Sequence, residues 1–188
     1  MKASIILSTY NRPQALLTVL EALKLQTIQD FEVCIADDGS TKDTQQIIEN
    51  FQQKSAFPIL HAWQDDRGFR AASARNNAVR MSSGNYLLFL DGDCIPRPNW
   101  IHQHLTLSEK HAFVAGNRVL LDETLSHAIE THRIPFTDLF GLNVLRHKDH
   151  INRLIPLLKI PLGSMRKLKP TSWAKVRTCN LGVWRQDF

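Results

Sequence analysis

Gly84-Asn85-Tyr86-Leu87-Leu88-Phe89-Leu90-Asp91-Gly92-Asp93 is the stretch that decides the fold. The run from Tyr86 to Leu90 is unbroken in its apolar character and stops at a carboxylate. A strand with one wet face alternates apolar and polar residues. An unbroken run reads as a strand buried on both faces, the habit of parallel sheets covered by helices. Asp91-Gly92-Asp93 then places two carboxylates at the carboxyl end of that strand, where open α/β sheets bind their ligands.

The flanking sequence repeats the pattern. Ala3–Ser8 and Phe31–Ala36 are short β-prone runs, and Phe57–Trp63 offers a third. Between them, Leu16, Leu17, Leu20 and Leu23 recur at helical spacing behind Pro13, which suits the first turn of a helix. A second helix is expected from a cap at Thr41 or Asp43 to about Gln53, a third over Ala71–Met81 and a fourth over Asn99–Leu107. Ala112–Leu121 reads as a further strand and Leu125–Leu145 as two short helices. Ile151–Leu162 is apolar but broken by Pro156 and Pro161, Ser164–Lys175 is basic and turn-like, and Val176–Trp184 returns to strand. Strand–helix–strand repetition with short connections specifies an α/β fold, a mostly parallel central sheet flanked by helices.

Composition excludes several classes. The 188 residues are 43% hydrophobic and 22% charged, enough for a packed core and too apolar for wholesale disorder. No apolar run reaches the ~18 residues that a membrane span requires. The start, Met1 to Ser8, reads as a first strand and not as a signal peptide. Cys34, Cys94 and Cys179 are widely spaced and odd in number, which fits no metal-finger spacing and no disulfide framework. A reducing cytosol is the expected compartment. His102 and His104, two apart on a helix, face different directions and make a poor metal pair. Neither G-x-G-x-x-G, nor a P-loop, nor a G-x-S-x-G elbow occurs.

Three clusters stand just after strands: Thr9-Tyr10-Asn11-Arg12, Asp37-Asp38-Gly39-Ser40 and Asp91-Gly92-Asp93. Parallel pairing brings all three to one sheet edge. An isolated Asp-x-Asp is more often a solvated turn. Directly after a buried strand, and beside the other two clusters, it reads better as a site for a hard divalent cation, Mn²⁺ or Mg²⁺, shared with a diphosphate. A carboxylate after the second strand can accept from a base N–H or a ribose hydroxyl. Tyr10 can stack on a base face.

These residues carry a resemblance. The sequence resembles glycosyltransferase family 2, inverting enzymes on the GT-A fold. Ser4–Arg12 resembles the family's opening strand and donor loop, and Ala36–Thr44 its D-D-x-S-x-D-x-T element. Gly68–Asn76 resembles its G-x-x-x-A-R-N helix start, and Gly84–Asp93 its metal strand. Asp66–Arg70, Asp91–Pro98 and Thr178–Phe188 resemble a bacterial subset that builds lipopolysaccharide, capsule or related surface glycans. The resemblance implies that Thr9, Tyr10 and Asp38 contact the nucleoside, with Asn11 and Arg12 nearby and Arg75 close to the phosphates. It implies that Asp93 ligates the metal and that Asp91 orients the ribose or water-mediated metal contacts. In relatives the general base lies in a segment resembling G-W-G-x-E-D, which would fall beyond Phe188. The expected division is 1–121, a donor-binding core, and 122–188, an acceptor-side segment incomplete relative to the family.

The resemblance thus implies transfer of a sugar from a nucleoside diphosphate, UDP foremost, to a hydroxyl of a surface glycan or lipid-linked acceptor. One rival is a nucleotide-sugar-binding remnant without turnover. A second is a nucleotidyltransferase, which calls for a glycine-rich basic loop where Thr9–Arg12 stands. Net charge is +5, and Arg146–Phe188 holds ten Lys/Arg against two Asp/Glu. That basic segment could meet anionic lipid, placing the protein peripherally on the inner face of the cytoplasmic membrane. Without a helix-turn-helix, zinc-finger or RNA-binding signature, no nucleic-acid partner is expected.

Overall fold

The structure is a computed structural model that describes residues 3–157, 163 and 176–188. Six strands form one sheet: β1 (Ala3–Thr9), β2 (Phe31–Asp37), β3 (Ile59–Trp63), β4 (Tyr86–Asp91), β5 (Phe113–Ala115) and β6 (Asn180–Trp184). Their order is β3-β2-β1-β4-β6-β5. The first four are parallel, as expected. The far side is not: β6 runs antiparallel to both β4 and β5.

The helices are α1 (Pro13–Lys24), α2 (Lys42–Gln52), α3 (Ala71–Met81), α4 (Trp100–Leu107) and α5 (Glu123–Glu130). Pro13 opens α1, where its missing N–H costs nothing. Thr41 takes the N-cap position of α2, although its side chain makes no capping bond. The alternation of side chains along the strands divides the core in two. Ile5, Leu7, Val33, Ile35, Leu88 and Leu90 join Leu16, Leu20 and Leu23 of α1, Ile48 of α2 and Ile101 of α4 on one face. Ile6, Cys34, Leu87, Phe89 and Val183 join Ala74, Ala78 and Val79 of α3 on the other. Covering both faces is what the unbroken apolar run of β4 requires. A fully buried leucine contributes about 1.5–3 kcal/mol, so these strands hold much of the stability.

Two expectations change. The strand expected over Ala112–Leu121 shortens to β5, with Leu121 making only an isolated antiparallel bridge to Ile151. Past Ala115 the Gly116 N–H still donates to the Asn180 carbonyl, and a Cβ at Gly116 would collide with the Asn180 side chain. The second of the short helices expected within Leu125–Leu145 is instead a pair of 3₁₀ segments, Phe136–Leu139 and Gly141–His150. Strand β6, from the segment after residue 121, inserts between β4 and β5. Residues 158–162 and 164–175, which hold five of the ten Lys/Arg of the basic segment 146–188, lie outside the described residues. Among the described residues, no helix is long and apolar enough to cross a membrane.

Candidate active site at the carboxyl ends of the parallel strands

Parallel register puts the ends of β1, β2 and β4 side by side, with Thr9 beside Asp37 and Ser8 beside Asp91. The backbone knits them together. Asp38 donates its N–H to the Thr9 carbonyl at 3.2 Å, and Gly92 donates to the Ser8 carbonyl at 2.7 Å. The second contact explains the glycine between the two aspartates, since a Cβ on Gly92 would stand 2.7 Å from that same oxygen.

Asp38 is buried and held from a second direction. Its Oδ2 accepts the backbone N–H of Arg70 at 2.7 Å, and its Oδ1 accepts from Gln64 Nε2. Asp37 faces away from this edge. Its Oδ1 caps the Ser40 N–H at 2.8 Å, and its Oδ2 meets His61 Nε2 at 2.9 Å. Burial pushes the Asp37 carboxyl up, but the His61 and Ser40 bonds outweigh it and hold it below the usual range.

Asn11 sits at φ 49, a left-handed conformation that asparagine tolerates better than most residues. Its N–H donates to Ser40 Oγ at 2.9 Å, and its Oδ1 accepts from Thr41 N–H at 2.8 Å. Asn11 therefore latches the β1 and β2 loops together. Tyr10 is half exposed, its hydroxyl donating to Asp66 Oδ2 at 2.9 Å. The Asp66 carboxylate raises the phenol above its ordinary value. Thr9 is the last residue of β1 and is buried, with an Oγ1 that has no hydrogen-bond partner among the described residues.

Arg75, on α3, reaches across the sheet end. Its Nη2 donates to Asp91 Oδ1 at 2.9 Å and to Ser8 Oγ at 3.1 Å, while Ser8 Oγ also donates to Asp91 Oδ1 at 2.9 Å. Asp91 is thereby a fixed carboxylate. Asp93 is exposed, and among the described residues its Oδ1 accepts only the Cys94 thiol, at 3.5 Å. Asp93 and the oriented Asp91 suit a hard divalent cation: anionic oxygens, one of them open to solvent and to a second ligand.

Asp93 also opens onto a cavity of about 1050 Å³ lined by Arg12, Arg97, Trp100, Arg118, Phe140 and Asn180 among others. Arg12 thus stands on this side, paired with Glu130 Oε1 at 2.7 Å, and not with Asp38. Asp93 and Glu130 are the carboxylates among the described residues that line the cavity. Asn180 anchors the far wall. Its Oδ1 accepts from Trp100 Nε1 at 2.9 Å and His104 Nε2 at 2.8 Å, and its Nδ2 donates to the Asn117 carbonyl at 2.9 Å.

Ser8, Asp66 and Arg70 lie within motifs the sequence presents, yet neither they nor Gln64 are assigned a role by the sequence alone. The rule that found the other clusters, residues just after a strand, would have found Gln64-Asp65-Asp66 had it been applied to β3. Ser8 lies within β1 and not after it. Its role comes from lying opposite Asp91. Nor did spacing bring Cys94 and Cys179 together: one ligand atom each from Asp91, Cys94 and Cys179 lies within 4.8 Å of the others. Burial, then Asp93, Cys179 and Asp91, push the Cys94 thiol far up.

Carboxylates and an arginine gathered at the carboxyl ends of a parallel sheet, with an antiparallel strand on its flank, define an α/β protein with its polar cluster at the edge where such sheets commonly bind ligands. Residues 4–166 match the family model of glycosyl transferase family 2, and the chain belongs to that family. It is 36% identical to hyaluronan synthase of Pasteurella multocida over 63% of its length and 12% of that protein. It is 36% identical to validoxylamine A glucosyltransferase of Streptomyces hygroscopicus subsp. jinggangensis, over 63% of this chain and 27% of the relative. The chain thus spans well under a third of these relatives. Its fold is shared with the mannosyltransferase PcManGT of Pyrobaculum calidifontis, solved with GDP-Man and Mn²⁺ (TM-score 0.53, 18% identity, 68% of this chain and 37% of that one). It is shared too with glucosyl-3-phosphoglycerate synthase of Mycobacterium tuberculosis, solved with UDP (TM-score 0.50, 18% identity, 98% and 57%). At that identity the likeness is one of fold, the GT-A fold.

Proposed function

We propose that this chain binds a nucleoside diphosphate sugar, UDP-linked foremost, and moves the sugar with inversion to a hydroxyl of a bacterial surface glycan. The observation that carries this reading is the convergence of Asp38, Arg75, Asp91 and Asp93 on one sheet edge that opens onto a large cavity. Relatives that handle glycans, and fold neighbours solved with UDP or with GDP-Man and Mn²⁺, support it.

Asp38 would accept a hydrogen bond from the base, and the Tyr10 ring would stack on it. Asp91, held by Ser8 and Arg75, would orient the ribose. Asp93 would hold Mn²⁺ or Mg²⁺ with Asp91 behind it. When bound, the cation supplies charge stabilisation for the departing diphosphate. Arg75 adds a fixed positive charge from the protein side. The cavity beside Asp93 would seat the acceptor, with Trp100 and Phe140 offering aromatic walls. A lipid-carried acceptor would bring the basic segment 146–188 against anionic headgroups.

One observation favours a second reading, binding without turnover. Of the carboxylates that line the described cavity, Asp93 is the expected metal ligand and Glu130 is neutralised by Arg12. Neither is an available general base, whose loss removes a factor of about 10²–10⁴. Calorimetric titration of UDP with and without Mn²⁺ tests the donor site, and a radiolabelled-sugar transfer assay separates the two readings. Metal-dependent UDP binding is expected. Failure of UDP, GDP and dTDP alike to bind would overturn the proposal.

A further inference from the structure

Two thiols far apart in the chain meet at the metal turn. Cys94 follows Asp93, and Cys179 precedes the first residue of β6. Their sulfurs and an oxygen of Asp91 lie within 4.8 Å of one another, and both thiols are free. Asp91 spends its Oδ1 on Ser8 and Arg75, and Oδ2 accepts no hydrogen bond among the described residues. Cys94 and Cys179 also line the large cavity, so an ion has a route in.

The donor set decides which ion. Two sulfurs and one carboxylate suit a thiophilic cation, whereas Mg²⁺ and Mn²⁺ favour oxygen alone. Tetrahedral zinc ligands at about 2.0–2.3 Å from the ion stand about 3.3–3.8 Å apart. Separations within 4.8 Å need a contraction of at most about 1–1.5 Å to reach that spacing. Three protein ligands leave the fourth position to water, an arrangement that zinc accepts.

We propose that Asp91, Cys94 and Cys179 form a site for one Zn²⁺, separate from the hard-cation position at Asp93. Binding displaces both thiol protons to solvent, and no electron is transferred. A consequence rests on the donor-site reading above. Cys94 Sγ is 3.5 Å from Asp93 Oδ1, so the two cations would stand side by side and share Asp91. Zinc would therefore compete with Mn²⁺ and shut off donor binding, an inhibitory site.

The test is Co²⁺ titration of the full chain under a phosphine reductant. A thiolate-to-Co²⁺ charge-transfer band should rise to a plateau at one equivalent, and Zn²⁺ should bleach it. Cys94→Ser and Cys179→Ser should each remove the band. Each should also weaken Zn²⁺ binding more than about 100-fold, since losing even an outer-shell partner costs 10–100-fold. Circular dichroism checks that the variants fold. Should either fail, alkylation of the unaltered chain replaces it: Zn²⁺ should protect Cys94 and Cys179, read by peptide mass, and protection of neither overturns the site. No band with both thiols reduced, or a band that survives both substitutions, also overturns it. Mn²⁺ affinity by electron paramagnetic resonance should fall with Zn²⁺ in the unaltered chain but not in Cys179→Ser. A Co²⁺ band without that competition overturns the inhibitory role alone. Because the band is read without nucleotide, failure of the donor reading leaves this test standing.

Discussion

Arg75 Nη2 lies 2.9 Å from Asp91 Oδ1, so a residue of α3 fixes the first carboxylate of the β4 turn. Both side chains are mostly buried, and Ser8 joins them from the neighbouring strand. Arg75→Ala should destabilise the chain by about 1.5–3 kcal/mol, the range for hydrogen bonds to charged groups. It should also weaken UDP binding. Urea unfolding and calorimetry measure the two separately, and an unchanged UDP affinity would leave Arg75 a purely structural residue.

Asp93 gives the opposite profile. It is exposed and makes one weak contact, to the Cys94 thiol. Asp93→Ala should leave the urea midpoint nearly unchanged and remove the Mn²⁺ dependence of UDP binding. Retention of that dependence would move the metal assignment elsewhere.

Tyr10 has a ring to offer a base and a hydroxyl committed to Asp66. Tyr10→Ala should cost about 1–3 kcal/mol of UDP affinity if the ring stacks. Tyr10→Phe keeps the ring and should retain most of the affinity. Equal losses in a side-by-side titration would credit the Asp66 bond instead.

Gly39 holds the loop that carries Asp66. Its φ is +96, and a Cβ there would stand 2.5 Å from the Asp66 Cα. Because the obstacle is backbone, it cannot swing aside. Gly39→Ala should lower stability by at least about 1–3 kcal/mol, the cost of such backbone strain. The urea midpoint should fall, and the Tyr10 contribution to UDP binding should shrink with it.

His104 should make stability depend on pH. Burial lowers its pKa, against the opposing effect of its bond to Asn180. Its Nε2 serves Asn180, while Nδ1 is buried with no partner, so the neutral ring is the one that fits. A depressed folded pKa means that the unfolded chain binds the proton more readily. The stabilisation is therefore present above the unfolded value of about 6.5 and is lost as pH falls through the folded pKa. Denaturant curves across that window should show the loss, and His104→Gln should flatten it.

The parallel half of the fold was legible because its signals are local. Pro13, the helical recurrence of Leu16, Leu20 and Leu23, and the apolar runs of β1, β2 and β4 each act within one element. The extent of β5 was not legible, since it is a strand at the sheet edge whose length depends on its one hydrogen-bonded neighbour, β6. Tyr10, Asn11, Arg12, Asp38 and Asp93 were legible because they stand at strand ends, whereas Arg75, on α3, was legible only through the family resemblance. Gln64 and Arg70 were not, because their role is to hold Asp38 from a loop that no local pattern ties to it.

By itself, then, the sequence determined the alternation of strands and helices, the two-sided burial of β4 and the carboxylates at the strand ends. Each follows from side-chain period and turn chemistry over a few residues. Only the tertiary structure decided the rest. It set the order β3-β2-β1-β4-β6-β5, inserted β6 antiparallel beside β4, and turned Arg12 toward Glu130. It also brought Cys179 to Cys94 and Asp91. Such pairings depend on which surfaces meet once both sheet faces are covered, and no window of neighbouring residues carries that information.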